Sequence, residues 1–342
     1  MASIKDVARK SGVSISTVSY VFTGKRSVKL ETRIRVFEAA RELGYFPNVG
    51  AQMLRNGRTH IIALSSPIHS YTNFTNYAAF FFEMVRAAHR HHFHVLLFAG
   101  EDEDEQFVRF ADSNLVDGVV LLDVAWNDER IQRAKLASVP YVSIGMPMDS
   151  ENLIAVDVDF EEVGRIAIDR LAESGHKEIL FVGSDQSVDS KSKDVTESNY
   201  LHRITASIQA QARRRGITVH SVLTKGDDYS SVRCLLADTF DQHDEITGMI
   251  TQTSIEFVNN AIGVLQLIGR PIPERTSIVS LASYGKTEML PVQIDEMPLL
   301  PAAVCSKAMQ LLIGALDGEA PRAGHIELLH PTYIDRGSIR RV

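Results

Sequence analysis

The chain has 342 residues, 44% hydrophobic and 23% charged, with a formal net charge of −7. That length predicts two or three domains at roughly 100–200 residues each, and the composition is that of an ordinary globular protein. No apolar run approaches the ~20 residues of a membrane span, so no membrane partner is expected. The first ten residues lack an apolar signal core. The two cysteines, Cys234 and Cys305, offer neither a disulfide framework nor zinc spacing. A reducing, cytoplasmic setting is the expectation. The net charge hides an asymmetry: residues 1–60 hold eleven Lys/Arg against four Asp/Glu, leaving +7 there and −14 on the remainder. A basic head on an acidic body is the pattern of a nucleic-acid-binding module fused to something else.

Ile4, Val7 and Ala8 recur at helical spacing, Gly12 interrupts, and Ser14 is placed to cap a second helix bearing Val18, Val21 and Phe22. Two short helices crossing closely need a small residue at the contact (Ala8) and one tolerant of positive φ at the turn (Gly12). Val18 then fills the space between them. This is helix-turn-helix spacing, with an ordinary αα-hairpin as the plainer alternative. The second helix would enter the major groove by its first residues, Ile15, Ser16 and, one turn on, Tyr20. Ser16 can bond a base and Ile15 can touch a thymine methyl, while Thr17 and Ser19 suit phosphates. A third helix is expected over 31–43, packing by Ile34, Phe37, Ala40 and Leu43, with Tyr45 beyond and Gly44 as its stop.

From residue 61 strand-like runs alternate with helical stretches. Strands are predicted at 61–64, 95–98, 118–122, 141–144, 179–182, 218–222, 248–250 and 277–281. Helices are predicted at 80–91, 106–114, 129–137, 161–174, 202–215, 231–240, 257–267 and 303–316. The rhythm predicts parallel sheets with helices on both faces, and about 280 residues suggest two similar subdomains. No P-loop, dinucleotide glycine fingerprint, nucleophile elbow or metal-protease helix occurs, so no catalytic residue and no cofactor are expected. The histidines at 89, 91, 92 and 94 read as a solvated helix end, and the acidic stretch 101–105 as a solvated loop, so no metal is expected either.

The sequence resembles the LacI/GalR family of bacterial transcriptional regulators. The resemblance rests on residues 4–20 (IKDVARKSGVSISTVSY), Thr32-Arg33, 42–48 (ELGYFPN) and 51–54 (AQML). In the body it rests on 116–121 (VDGVVL), 175–179 (GHKEI), 261–263 (AIG), 270–274 (RPIPE) and 331–338 (PTYIDRGS). It implies an α/β protein: an all-α helix-turn-helix head over 1–46 and a hinge helix in 47–60. A two-lobed body follows, periplasmic-binding-protein-like (type I), of doubly wound parallel sheets joined by three crossovers. The first lobe would take 61–158 plus about 290–320, the second 159–289 plus about 321–342. Ligands in such folds bind between the lobes at strand C-termini.

The resemblance also implies site residues. Ser14, Ile15, Ser16, Thr17, Ser19, Tyr20 and Thr32 would serve the DNA contact of the head. Leu54 matches the hinge leucine that wedges between central base pairs. Asn48, Ala51 and Gln52 would line that contact, and Arg55 and Arg58 would meet phosphates. Tyr20 stands where many members have an Arg able to read guanine bidentately. Lys29 replaces a usual Ser cap, and Gly50 lowers hinge helicity. In the body Arg203 matches an effector-binding arginine, although Ala206 and Ser207 replace the Gly-Phe that follows it. Ser283 and Tyr284 stand where a sugar-binding Asp is common. Tyr71, Asn73, Phe74, Asn76, Tyr77, Trp126 and Met146 complete the candidate effector set. The implied function is a repressor that binds a near-palindromic operator DNA as a homodimer, through contacts near 80–91 and 111–114, under control of a sugar- or nucleoside-like small molecule. An anionic effector, no effector, an enzyme or solute-binding protein on the same body, and an architectural DNA-binding protein remain as alternatives.

Overall fold

The computed structural model describes residues 2–23, 26–45, 58–68, 74–99, 109, 111–113, 115–125, 127–148, 150, 153–184, 199–281, 287–319, 321 and 324–342. The chain divides into two compact units, Met1–Thr59 and His60–Val342.

The first unit holds three helices, α1 (Ile4–Ser11), α2 (Ile15–Thr23) and α3 (Leu30–Glu42). Gly12 takes φ 68 after α1, and Val13 N–H returns to Ala8 O. Gly44 takes φ 58 after α3, with Gly44 N–H on Arg41 O and Tyr45 N–H on Ala40 O. Both turns need the left-handed backbone that glycine adopts without a Cβ penalty. The core is Val7, Ala8, Val18, Val21, Val36, Ala39 and Ala40. One expectation is corrected here. Ile34 is 48% and Phe37 41% exposed, because α3 turns the 36/39/40/43 stripe inward instead of 34/37. Phe37 keeps an edge contact with Phe22, ring centroids 5.5 Å apart, and the Arg33 guanidinium lies 5.7 Å from its ring centroid. Lys29 precedes α3 without a side-chain cap bond.

The second unit contains two parallel sheets. The first combines β1 (Ile61–Ser65), β2 (His94–Phe98), β3 (Gly118–Leu121), β4 (Tyr141–Ile144), β5 (Ala155–Val158) and β11 (Ile326–Leu329), in the order β11-β5-β4-β3-β1-β2. The second combines β6 (Glu178–Ser184), β7 (Thr218–Thr224), β8 (Gly248–Gln252), β9 (Ser277–Leu281) and β10 (Asp295–Met297), in the order β10-β9-β8-β6-β7. Successive strand residues face opposite layers. Ile62 and Leu64 join Met84, Ala87 and Ala88 of α4 (Phe74–Arg90) and Cys305, Ala308 and Leu312 of α10 (Pro301–Leu316) in one core. Ala63 faces Ile131 and Ala134 of α5 (Glu129–Ala134) on the other side. In the second sheet Ile179 and Phe181 share a core with residues of α6 (Phe160–Glu173) and α7 (Asn199–Arg215). Leu180 and Val182 lie with α8 (Tyr229–Gln242) and α9 (Ile255–Leu267). Among the described residues no helix is long and apolar enough to cross a membrane.

The chain passes between the sheets after β5, after β10 and after β11. The last two passages shift the expected lobe bounds. Strand β10, expected in the first lobe, pairs with β9 in the second sheet, and β11, expected in the second lobe, pairs with β5 in the first. The reason for β10 is chemical. Its two acids are buried but satisfied: Asp295 accepts from Tyr333 Oη and from the Arg336 and Ser338 amides, and Glu296 pairs with Arg336 at 2.7 Å. The residues after β11 therefore run back to the second sheet as its polar partner.

Candidate nucleic-acid interface and ligand cleft

The start of α2 is built to be offered outward. Ser14 Oγ accepts from Thr17 N–H at 3.1 Å, capping the helix. Val18, one turn later, is fully buried and fixes the helix on the core. Between these anchors Ile15 is 44% exposed and Ser16 is exposed, while Thr17, Ser19 and Tyr20 are half-buried. Arg26 lies with its guanidinium 5.4 Å from the Tyr20 ring centroid, so a cation accompanies the ring. Thr32 is half-buried in the first turn of α3. The arrangement presents the helix N-terminus, with its free amides and positive dipole end, beside two small or apolar tips that fit base edges. The hinge candidates Asn48, Ala51, Gln52, Leu54 and Arg55 lie outside the described residues.

In the body the C-terminal ends of the strands carry a polar network. Arg130 is buried and donates to Ser65 O, Leu122 O and Asp123 O, tying the ends of β1 and β3. Asp128, itself the cap of α5, holds the guanidinium at 2.7 Å. Tyr77 Oη donates to the Asp123 carboxylate, and Asp123 adopts a φ of 52. Across the lobes, the Asn199 side-chain amide donates to Met146 O, joining the start of α7 to the end of β4. Arg203, also on α7, reaches Asp157 of β5 at 2.6 Å. Its remaining nitrogens donate to Glu161 at 2.8 and 2.6 Å. Burial drives the Asp157 carboxyl up to about 7 against the pull of Arg203, whereas the exposed Glu161, against a partial loss of solvent, is held below the ordinary carboxylate range by Arg203.

Several buried polar atoms here have no hydrogen-bond partner among the described residues: Ser66 Oγ beyond β1, Asn199 Oδ1, both amide atoms of Gln252 at the end of β8, and Thr253 Oγ1 just after it. A buried polar group without a partner costs about 1–3 kcal/mol. Their positions at strand ends are where a parallel α/β sheet accepts a ligand.

The structure thus places Tyr77, Met146 and Arg203 at these strand ends. Arg203 is engaged by two carboxylates of its own chain instead of standing as an open fork. Tyr71, Asn73, Trp126, Ser283, Tyr284 and the side chains of Phe74 and Asn76 lie outside the described residues. Nothing in the local sequence singles out Ser66, Asp123, Arg130, Asn199 and Gln252. Their one available signal is position, at the end of a strand or the start of the following helix.

A capped, outward-facing α2 and a two-sheet body with buried polar groups at its strand ends are the arrangement expected of a DNA-binding regulator with an effector-binding body. Comparison with known proteins agrees. Residues 3–48 match the family model for bacterial regulatory proteins of the lacI family, and residues 168–339 match that for a periplasmic binding protein-like domain. The chain belongs to the lacI family and is a DNA-binding transcriptional regulator. The HTH-type transcriptional regulator AglR of Rhizobium meliloti (strain 1021) is 36% identical over 190 residues, a match spanning 54% of this chain and 52% of that protein. Catabolite control protein A of Staphylococcus epidermidis (strain ATCC 12228 / FDA PCI 1200) is 27% identical over 335 residues, 96% of each. The Lac repressor dimer bound to operator and the anti-inducer ONPF superposes with a TM-score of 0.80 at 16% identity over 99% of both chains, a likeness of fold.

Proposed function

We propose that the chain is a homodimeric repressor whose grip on a near-palindromic operator is set by a neutral, hydroxyl-rich small molecule in the inter-lobe cleft. The observation that carries this is the pairing, in one chain, of an outward-facing α2 start with buried unpartnered side chains at the strand ends. Ser66, Asn199, Gln252 and Thr253 offer donors and acceptors of the kind hydroxyl groups satisfy. The two buried guanidiniums near them, Arg130 and Arg203, are each held by carboxylates, which favours a neutral ligand over an anion. Family members are regulators and not enzymes, and we assign no reaction to this cleft.

The dimer face we assign is the outer side of α4 and the edge strand β2. Phe82 is 70% exposed there, and Val85, Leu96 and Leu97 are exposed with it, an apolar surface suited to a self-complementary two-fold contact. The Lac repressor relative is described as a dimer on operator. Two heads related by a two-fold would read two half-sites. Leu54 between them would part the central base step, with Asn48, Ala51 and Gln52 along the minor groove and Arg55 at phosphates. Movement of the lobes on ligand binding would alter the spacing of the hinges, a coupling typically worth about 1–3 kcal/mol.

Selection of bound duplexes from a random pool, using the full chain, tests the reading. Enrichment of one two-fold-symmetric sequence is expected, and Leu54→Ala should weaken binding and relax its central step. Salt-sensitive binding with no enriched sequence would instead describe an architectural DNA-binding protein.

A further inference from the structure

Away from the cleft, two imidazoles and a carboxylate converge on the second lobe. His220 is the third residue of β7, the edge strand of its sheet, and His243 is the residue that ends α8, with Glu245 two positions on. The two rings lie 4.1 Å apart between centroids, inclined at 43°. One nitrogen from each ring and one Glu245 oxygen lie within 4.8 Å of one another. His243 Nδ1 and Glu245 Oε1 are 3.2 Å apart. Glu178, at the start of β6, stands 2.8 Å from His220 Nε2. Being at the start of β6, it places the cluster toward the opposite end of the sheet from the strand termini of the cleft.

We propose that His220, His243 and Glu245 bind one divalent transition ion of the zinc type, with Glu178 orienting the His220 ring. Two neutral imidazoles and one carboxylate form a donor set suited to Zn²⁺ and its first-row neighbours, not to the oxygen-only preference of Ca²⁺ or Mg²⁺. Tetrahedral ligands at about 2.1 Å from zinc stand about 3.4 Å from one another. Closing the group to that spacing requires side-chain rotation, for which the half-buried His243 and the exposed Glu245 have solvent on one side. Glu178 accepting from one nitrogen of His220 leaves the other nitrogen's lone pair for the ion, the carboxylate–histidine–metal relation that fixes a tautomer. The ion would fasten the end of α8 to the β7 edge and stabilise the second lobe. The sequence conceals the set, because 22 residues separate its two histidines whereas the conspicuous histidine run at 89–94 contributes no such group among the described residues.

The test is titration of the EDTA-stripped full chain with ZnCl₂ against a chromophoric competing chelator, with melting temperature read in parallel. A site filled by zinc at ~100 times its Kd should raise the melting temperature by about 5 °C. His243→Ala at a half-buried position, Glu245→Gln at an exposed one, and His220→Ala should each weaken zinc binding at least about tenfold, the loss expected for one of three protein ligands. Double replacement of His91 and His92 by Ala, and Cys234→Ser at the exposed thiol, should leave it intact. The proposal is overturned if zinc affinity is unchanged in both His243→Ala and Glu245→Gln, or if Cys234→Ser or the His91/His92 variant abolishes it. Should His220→Ala fail to fold, the His243→Ala and Glu245→Gln variants decide the matter.

Discussion

The side chains we propose to meet DNA stand outside the core of the head, while those we propose to meet a small molecule lie within the core of the body. Ile15 and Ser16 are exposed above Val18, which is wholly buried. Gln252 and Asn199 are almost wholly buried and keep polar atoms unpartnered. The difference follows from the size of the partner. A duplex is larger than a three-helix head and must be met on a convex face. A small molecule is held by being surrounded, so its site is assembled from strand ends and closes around it. The head therefore needs rigidity beneath an open surface, and the body needs polar groups that tolerate burial until a ligand satisfies them.

Removing the rigidity beneath the head's open surface carries the largest expected effect. Val18→Asp places a charge in a core of seven buried residues, at a cost of several kcal/mol. Gel-shift assays should show specific DNA binding lost, while calorimetry shows the melting of the body unchanged. A body transition that falls together with the head would show the two units to be one cooperative block.

Arg130→Met tests the corresponding support in the body. It leaves Asp128 buried without its cation and frees the carbonyls of Ser65, Leu122 and Asp123. Urea unfolding should report a loss of about 3–5 kcal/mol. An unchanged unfolding midpoint would mean that water replaces the guanidinium at those carbonyls without penalty.

Asp157 supplies a pH signature. Its folded carboxyl keeps a proton up to about 7, whereas the unfolded chain releases it near 3.8. The folded state thus binds more protons across that window, so this group's contribution to stability falls as pH rises through it and is flat above. Subtracting the urea-derived stability of Asp157→Asn from that of the parent at each pH should reveal that decline. A flat difference would mean Asp157 is ionised throughout, with Arg203 prevailing over burial.

Smaller effects sharpen the head. Tyr20→Arg should change the base preferred at one position of each half-site by about 1–3 kcal/mol of discrimination, read by repeating the duplex selection. Ser14→Ala removes the cap of α2 and should lower head stability by about 1 kcal/mol. An unaltered melting curve for that variant would show that the Ser14 bond adds nothing beyond what water supplies.

Much of this architecture is legible in short-range pattern. Ala8, Gly12 and Val18 mark the head because their spacing is set by two helices in contact, and Tyr141–Ile144 and Ser277–Leu281 stand out as short apolar runs. Three strands escape that reading. Asp157 interrupts β5, and Asp295 and Glu296 make up most of β10; β11 lies at the sheet edge with only intermediate or exposed residues. Charges look external until partners such as Arg203, Tyr333 and Arg336 are brought to them by the fold. The inward face of α3 is only partly legible: Ala40 is expected there, but Val36 and Ala39 give a weaker signal than the larger Ile34 and Phe37, which the fold leaves outside. The cleft shows the same limit. Arg203 and Tyr77 can be named from the sequence, but Gln252, Asn199 and Ser66 acquire meaning only when strands distant in sequence end side by side.

Occupancy of the buried polar strand ends is proposed to set the grip of the exposed head. Fluorescence anisotropy of the full chain on its selected operator tests it directly, with and without a neutral disaccharide or nucleoside chosen because it raises the melting temperature. The compound should change operator affinity by about 5- to 150-fold, and Gln252→Leu should remove the change while leaving affinity without compound intact. Equal operator affinity with and without a compound that demonstrably binds the cleft would contradict the claim.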